Sequence, residues 1–190
     1  MKTRIIIIAS ILFAISYSAH AQSFDFRKAR WGMDSIQVKN SEQARFITSK
    51  NNWMMFSGKM ENMDTKIYYY FTSSNQLYRS YYLINMDSRN PSLYVNTFLL
   101  LQQLLTEKYH EPFSKSAITI NGKIITQDEW ASNLISDNLN LETKWKTDKT
   151  EIILSLYSIS DEMYMEISYT SVVYAKKSDQ ETRAKILNDL

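Results

Sequence analysis

Lys66-Ile67-Tyr68-Tyr69-Tyr70-Phe71-Thr72, a polar turn to Gln76, then Leu77-Tyr78-Arg79-Ser80-Tyr81-Tyr82-Leu83-Ile84 is the stretch that decides the fold. Ile67, Tyr69 and Phe71 alternate with Lys66, Tyr68, Tyr70 and Thr72, and a period of two is the signature of a strand. On the return, Tyr78, Ser80 and Tyr82 fall on one face, Arg79 and Tyr81 on the other. The pair predicts an aromatic antiparallel hairpin. A two-layer fold covers only one face of its sheet, yet Tyr68, Tyr70, Tyr78, Tyr81 and Tyr82 occupy both. Some of these rings are therefore expected in solvent, as candidate partner-binding residues.

Upstream, Asp34 and Gln37 have the spacing of a capping box, with Met33 and Val38 as its hydrophobic staple. They predict a short helix from about Ser35 to Gln43, docking through Ile36 and Val38, with Trp31-Gly32 as its entry turn. Trp53–Phe56 and Gly58–Met63 suggest a further, weakly patterned hairpin. Downstream, Asn90-Pro91 opens a long helix, because asparagine caps well and proline at the first helical position gives up no bond. Tyr94, Phe98, Leu101, Leu105 and Tyr109 mark its buried stripe, Leu100 and Leu104 are expected to widen it, and His110-Glu111-Pro112 ends it.

Asn121-Gly122 predicts a small hairpin within Ile118–Ile125. Thr126 and Glu129 make a second capping box for a short helix carrying Trp130 and Leu134. Three antiparallel strands follow, through Leu141, Thr143 and Trp145, then Ile152, Leu154 and Leu156, then Met163, Met165, Ile167 and Tyr169. Ser178 and Glu181 suggest the cap of a last amphipathic helix with Ala184, Leu187 and Leu190.

The N-terminus reads as a secretory leader. Lys2 and Arg4 precede an apolar run, Ile5–Ile15, too short to span a bilayer core of about 30 Å, and Ala19-His20-Ala21 supplies the small residues a signal peptidase needs. The expectation is cleavage after Ala21 and a periplasmic or extracellular protein. The 190-residue chain has no cysteine, so neither a lipoprotein anchor nor disulfides are expected. Loss of Lys2 and Arg4 brings the 22 basic residues level with the 20 acidic ones. A neutral chain without a basic run argues against nucleic-acid binding and against stable membrane insertion.

Both halves thus follow one order, a helix and then a meander of strands. The predicted fold is α+β: two tandem helix-plus-meander repeats with helices packed on one face of the sheet or sheets. The divisions are 1–21 leader, 22–88 first repeat, 89–174 second repeat and 175–190 charged helical tail.

Phe26-Arg27-Lys28-Ala29-Arg30-Trp31-Gly32-Met33-Asp34, with Val38 and Glu42, resembles the Trp-Gly-Met entry motif of a family of small exported bacterial proteins of unknown function. Tyr69-Tyr70-Phe71, Leu77-Tyr78-Arg79, Leu104-Leu105-Thr106-Glu107-Lys108-Tyr109 with Glu111-Pro112, Trp145 and Ile167-Ser168-Tyr169 extend that resemblance in order. The architecture is also similar to the outer-membrane assembly factor BamE and to the tandem repeats of β-lactamase-inhibitor proteins. The resemblance implies a binding module without catalytic residues.

The residues themselves point the same way. His110 is the one histidine beyond Ala21, and its place past a helix end suits a residue that tolerates a positive backbone angle better than a triad member. Asp128-Glu129 and Asp161-Glu162 read as cap and turn residues, while Gly32, Gly58 and Gly122 stand too far apart for a phosphate loop. No catalytic residue, cofactor or metal site is expected. The leading expectation is a non-enzymatic binding or scaffold protein with another cell-envelope protein as partner. The alternatives are a glycan or peptidoglycan binder using the tyrosines, and a carboxylate-based hydrolase.

Overall fold

The computed structural model describes residues 24–86, 89–136 and 138–190. The expected leader and its cleavage point lie outside the described residues. In chain order the elements are α1 (Ser35–Ser41), β1 (Arg45–Lys50), β2 (Trp53–Met60), β3 (Met63–Phe71), β4 (Leu77–Asn85), α2 (Pro91–Tyr109) and β5 (Ser114–Ile118). A 3-10 turn, Gln127–Glu129, then leads into α3 (Trp130–Ile135), β6 (Asn140–Lys146), β7 (Thr150–Ile159), β8 (Glu162–Ser171) and α4 (Val172–Asp189). The protein is a mixed α and β fold on one eight-stranded antiparallel sheet, ordered β1-β2-β3-β4-β8-β7-β6-β5. β4 and β8 meet at its centre, with Arg79–Ile84 running against Thr170–Met165.

Local chemistry explains the element starts. The Asp34 side chain accepts from the Gln37 amide at 2.8 Å and the Gln37 side chain accepts from the Asp34 amide at 3.0 Å, which closes the capping box of α1. Asn90 caps α2 by accepting from the Ser92 amide at 3.0 Å. Thr126 and Glu129 form the second capping box. His110 ends α2 at φ 67, the positive angle expected of it. Ser160 and Asp161, at φ 53 and 64, make the tight β7–β8 turn without glycine.

One face of the sheet builds the core. Phe56, Ile67, Tyr69, Ser80, Ile167, Leu154, Leu141 and Trp145 are all buried there, and α2 adds Tyr94, Val95, Phe98, Leu101 and Leu105 to the same cluster. α2 contacts β6, β7, β8 and α3. Each fully buried leucine or isoleucine contributes about 1.5–3 kcal/mol of transfer free energy, so this face dominates the favourable side of folding.

Several expectations are corrected. Ile36 is 69% exposed and only Val38 of α1 is buried. Leu100 and Leu104, at 55% and 49% exposed, lie outside the buried stripe of α2, because the four buried spacings already fill the arc facing the sheet. Gly58 lies within β2, which runs unbroken from Trp53 to Met60, and the hairpin turn falls instead between Met60 and Met63. The expected small hairpin is present, with Ile118 bridging Ile124 and bonds from the Thr119 amide to the Lys123 carbonyl and from the Ile125 amide to the Ala117 carbonyl. Its turn, closed by the Gly122 amide on the Thr119 carbonyl, centres on Ile120-Asn121 rather than on Asn121-Gly122. Ser171, not Ser178, caps the last helix by accepting from the Tyr174 amide at 3.1 Å. Leu187 and Leu190 are exposed, so the end of α4 buries no apolar stripe.

Candidate functional site

Strand pairing sorts the tyrosines. Tyr68 stands opposite Tyr81, which stands opposite Ser168, and Tyr70 stands opposite Arg79. These positions alternate with the buried Ile67, Tyr69 and Ser80, so Tyr68, Tyr70, Arg79 and Tyr81 share the outer face of the sheet. Tyr82 belongs to the inner face: it packs against the Phe26 and Tyr169 rings, with its phenol near enough to Arg27 to feel that charge. Tyr78 falls in the register shift where β3 and β4 change pairing, since Phe71 opposes Leu77 and Tyr70 opposes Arg79. Of the five expected tyrosines, the structure brings together Tyr68, Tyr70 and Tyr81, and sets Tyr78 and Tyr82 apart.

Three more outward residues join them. Trp53 lies tilted at 47° with its ring 6.0 Å from Tyr68, Tyr68 stacks at 4.5 Å and 17° on Tyr81, and Tyr81 stacks at 5.8 Å on Tyr70, their hydroxyls 3.4 Å apart. Next to this ladder, Arg79 donates from Nη2 to Glu166 Oε1 at 3.2 Å, and its guanidinium lies 5.7 Å from the Tyr81 ring centre. Arg79 Nε is buried with no hydrogen-bond partner. Beyond Glu166, Tyr157 stacks at 5.6 Å on Tyr164. Trp53, Arg79 and Glu166 escaped the reading of the sequence as site residues, although the alternation already set Arg79 beside Tyr81.

Electrostatics mark the centre of this face. Burial pushes the Glu166 carboxyl above the usual carboxylate range, and the Arg79 charge and hydrogen bond only partly oppose it. Burial also raises Tyr68 and Tyr81, with Tyr70 adding to both, so these phenols stay protonated and serve as hydrogen-bond donors. Trp53, Tyr68, Tyr70, Arg79 and Tyr81 are each half-buried. Stacked aromatics around a partly open arginine have the composition of a recognition hot spot.

A second cleft, of about 500 Å³, opens between the N-terminal segment, the end of α2 and the β6–β7 turn, lined among others by Arg27, Tyr82, Lys108, Tyr109, Lys149 and Tyr169. Its principal cation is already used. Arg27 donates to both oxygens of Glu42, at 2.7 and 2.9 Å, and Glu42 also accepts from Tyr69 and from the Ala44 amide. His110 is exposed and does not line the cleft. The carboxylates that suggested acid–base work serve locally: Glu129 caps Thr126, and Glu162 accepts from the Tyr164 hydroxyl at 2.7 Å. Among the described residues, no three histidine or acidic side chains group as metal ligands, and no helix is long and apolar enough to cross a membrane.

Set beside known protein families, curated proteins and solved structures, the chain matches none of them.

Proposed function

We propose that the chain is a non-enzymatic binding module, exported and freed of residues 1–21, that holds another cell-envelope protein against the outer face of its sheet. The observation that carries this reading is the ladder Trp53, Tyr68, Tyr81 and Tyr70 beside the Arg79–Glu166 pair. Tyrosine, tryptophan and arginine supply large, stiff contact area at low cost in side-chain entropy, and they dominate measured interface energies.

The reading includes two tandem helix-plus-meander repeats, residues 22–88 and 89–174, with residues 175–190 as a helical tail. The order of elements supports it: α1 with β1–β4, then α2 with β5–β8, each half contributing its last strand to the centre of the sheet. In this reading the helices gather on the core face, which leaves the outer face for a partner.

The same ladder suits a glycan less well. Sugars stack on ring faces, and here the faces of Tyr68 and Tyr81 are spent on each other. The hydrolase alternative is weaker still, because its candidate acids already cap and brace turns.

The test is site-specific photocrosslinking in the native host, with p-benzoylphenylalanine replacing Tyr70 in one strain and the helix-side Leu100 in another. A discrete crosslinked product at Tyr70 and none at Leu100 is expected. Crosslinking at Leu100 alone, or at neither position, overturns the assignment of the outer face.

A further inference from the structure

Resting on that reading, we infer that the partner presents an acidic protein segment, and that it lies across the β1–β4 half of the outer face. Register decides which charges share this face. Lys50 stands opposite Trp53, which stands opposite Tyr70 and then Arg79; Arg45 stands opposite Ser57, which stands opposite Lys66; Lys59 stands opposite Asp64. This half therefore carries Arg45, Lys50, Lys59, Lys66 and Arg79 against Asp64. Lys59 reaches Asp64 only at 3.7 Å, in an exposed pair worth little.

The other half is opposite in character. Glu142, Glu151, Glu162 and Glu166 face outward there with Lys144 and Lys146, and both lysines are held by neighbours, to Glu142 and to Glu151 at 2.7 Å each. Glu142, Glu151 and Glu166 are in turn paired with Lys144, Lys146 and Arg79, so a carboxylate-bearing segment is drawn to the β1–β4 half and finds no free cation among the described residues of the other, which fixes its position. The chain as a whole has 22 basic and 20 acidic residues, so the asymmetry is local to this face.

The ladder agrees with that chemistry. Because ring faces are stacked, it offers ring edges and hydroxyls, which are its electropositive and donor parts. Arg79 keeps its side chain 44% exposed after engaging Glu166 through one nitrogen; its Nε edge is buried, and the exposed part of the guanidinium is what can meet a second carboxylate.

The test is fluorescence anisotropy with a fluorescein-labelled peptide of alternating glutamate and serine. A lysine–serine peptide and polygalacturonate, an anionic glycan, serve as competitors. Saturable binding that weakens with added salt is expected, with neither competitor displacing the probe. Lys50→Glu with Lys66→Glu, both exposed positions, should weaken it on the order of tenfold, about the loss of one strong charge contact. Glu142→Gln with Glu151→Gln should not weaken it, and circular dichroism confirms that each variant is folded.

Equal loss in both double variants, or displacement by the lysine–serine peptide, overturns the inference. Tighter binding of polygalacturonate overturns it in favour of a glycan. If the glutamate peptide fails to bind while the Tyr70 crosslink persists, the acidic class falls and the binding face stands. Loss of the crosslink itself removes the parent reading.

Discussion

Arg27 and Glu42, fifteen residues apart, form a two-pronged ion pair that fastens the N-terminal segment to the sheet through the Tyr69 hydroxyl. The Glu42 side chain is only 2% exposed. Burial alone would raise its carboxyl, but bonds from Arg27, Tyr69 and the Ala44 amide outweigh burial and hold it below the ordinary range.

A carboxylate with a lowered folded-state pKa adds stability above its unfolded value and loses it as the pH falls through the folded one. Glu42→Gln should therefore cost about 1.5–3 kcal/mol at neutral pH, the range for hydrogen bonds to a charged group, and less as the solution is acidified. Urea unfolding of both proteins at neutral and at acid pH measures this, with the two curves converging in acid.

Gly32 sits at φ 85 with the Tyr174 phenol directly over it, where a β-carbon would collide with the ring. Gly32→Ala should cost about 2–3 kcal/mol from overpacking and backbone strain together. In a Tyr174→Ala background only the strain remains, and the cost should fall to about 1 kcal/mol. The double-mutant cycle, read from urea midpoints, reports the coupling between the entry turn and α4.

At His110 the chain holds φ 67 at an exposed position, a conformation glycine adopts without penalty. His110→Gly should raise stability by about 0.5–1 kcal/mol, visible as a higher thermal midpoint, and should leave the Tyr70 crosslink in place.

Trp145 and Ile36 should separate core from surface. Trp145 is fully buried on β6, so Trp145→Ala should cost about 3–5 kcal/mol through cavity and transfer losses. Ile36→Ala should change stability by no more than about 0.5 kcal/mol. Chemical denaturation of both variants checks the assignment of faces.

Much of the fold was legible where a single rule acted alone. The capping boxes at Asp34–Gln37 and Thr126–Glu129 are local hydrogen-bond patterns and are formed as read. The β3–β4 alternation holds over Asp64–Tyr70 against Arg79–Asn85, both strands are present, and only the bulge at Tyr78 interrupts it. β1 left no signal because an edge strand exposed on both sides, as Arg45–Lys50 is, needs no alternation. Gly58 misled because the reading treated a mid-strand glycine as a break.

The candidate face was half legible. Alternation separates Tyr81 from Tyr82 but does not say which of them faces the core, since that depends on what packs against the sheet. Glu166 reaches Arg79 only because β8 pairs with β4. Such pairing between residues 87 positions apart is invisible to any local period.

The β4–β8 seam also governs when the molecule becomes whole. A chain emerging N-terminus first has made β1–β4 long before β8 exists, so β4 waits with a bare edge of nine residues, Leu77–Asn85. Until Glu162–Ser171 arrives, that edge is open to any other extended chain, and sealing it is a non-local step of the kind that slows folding.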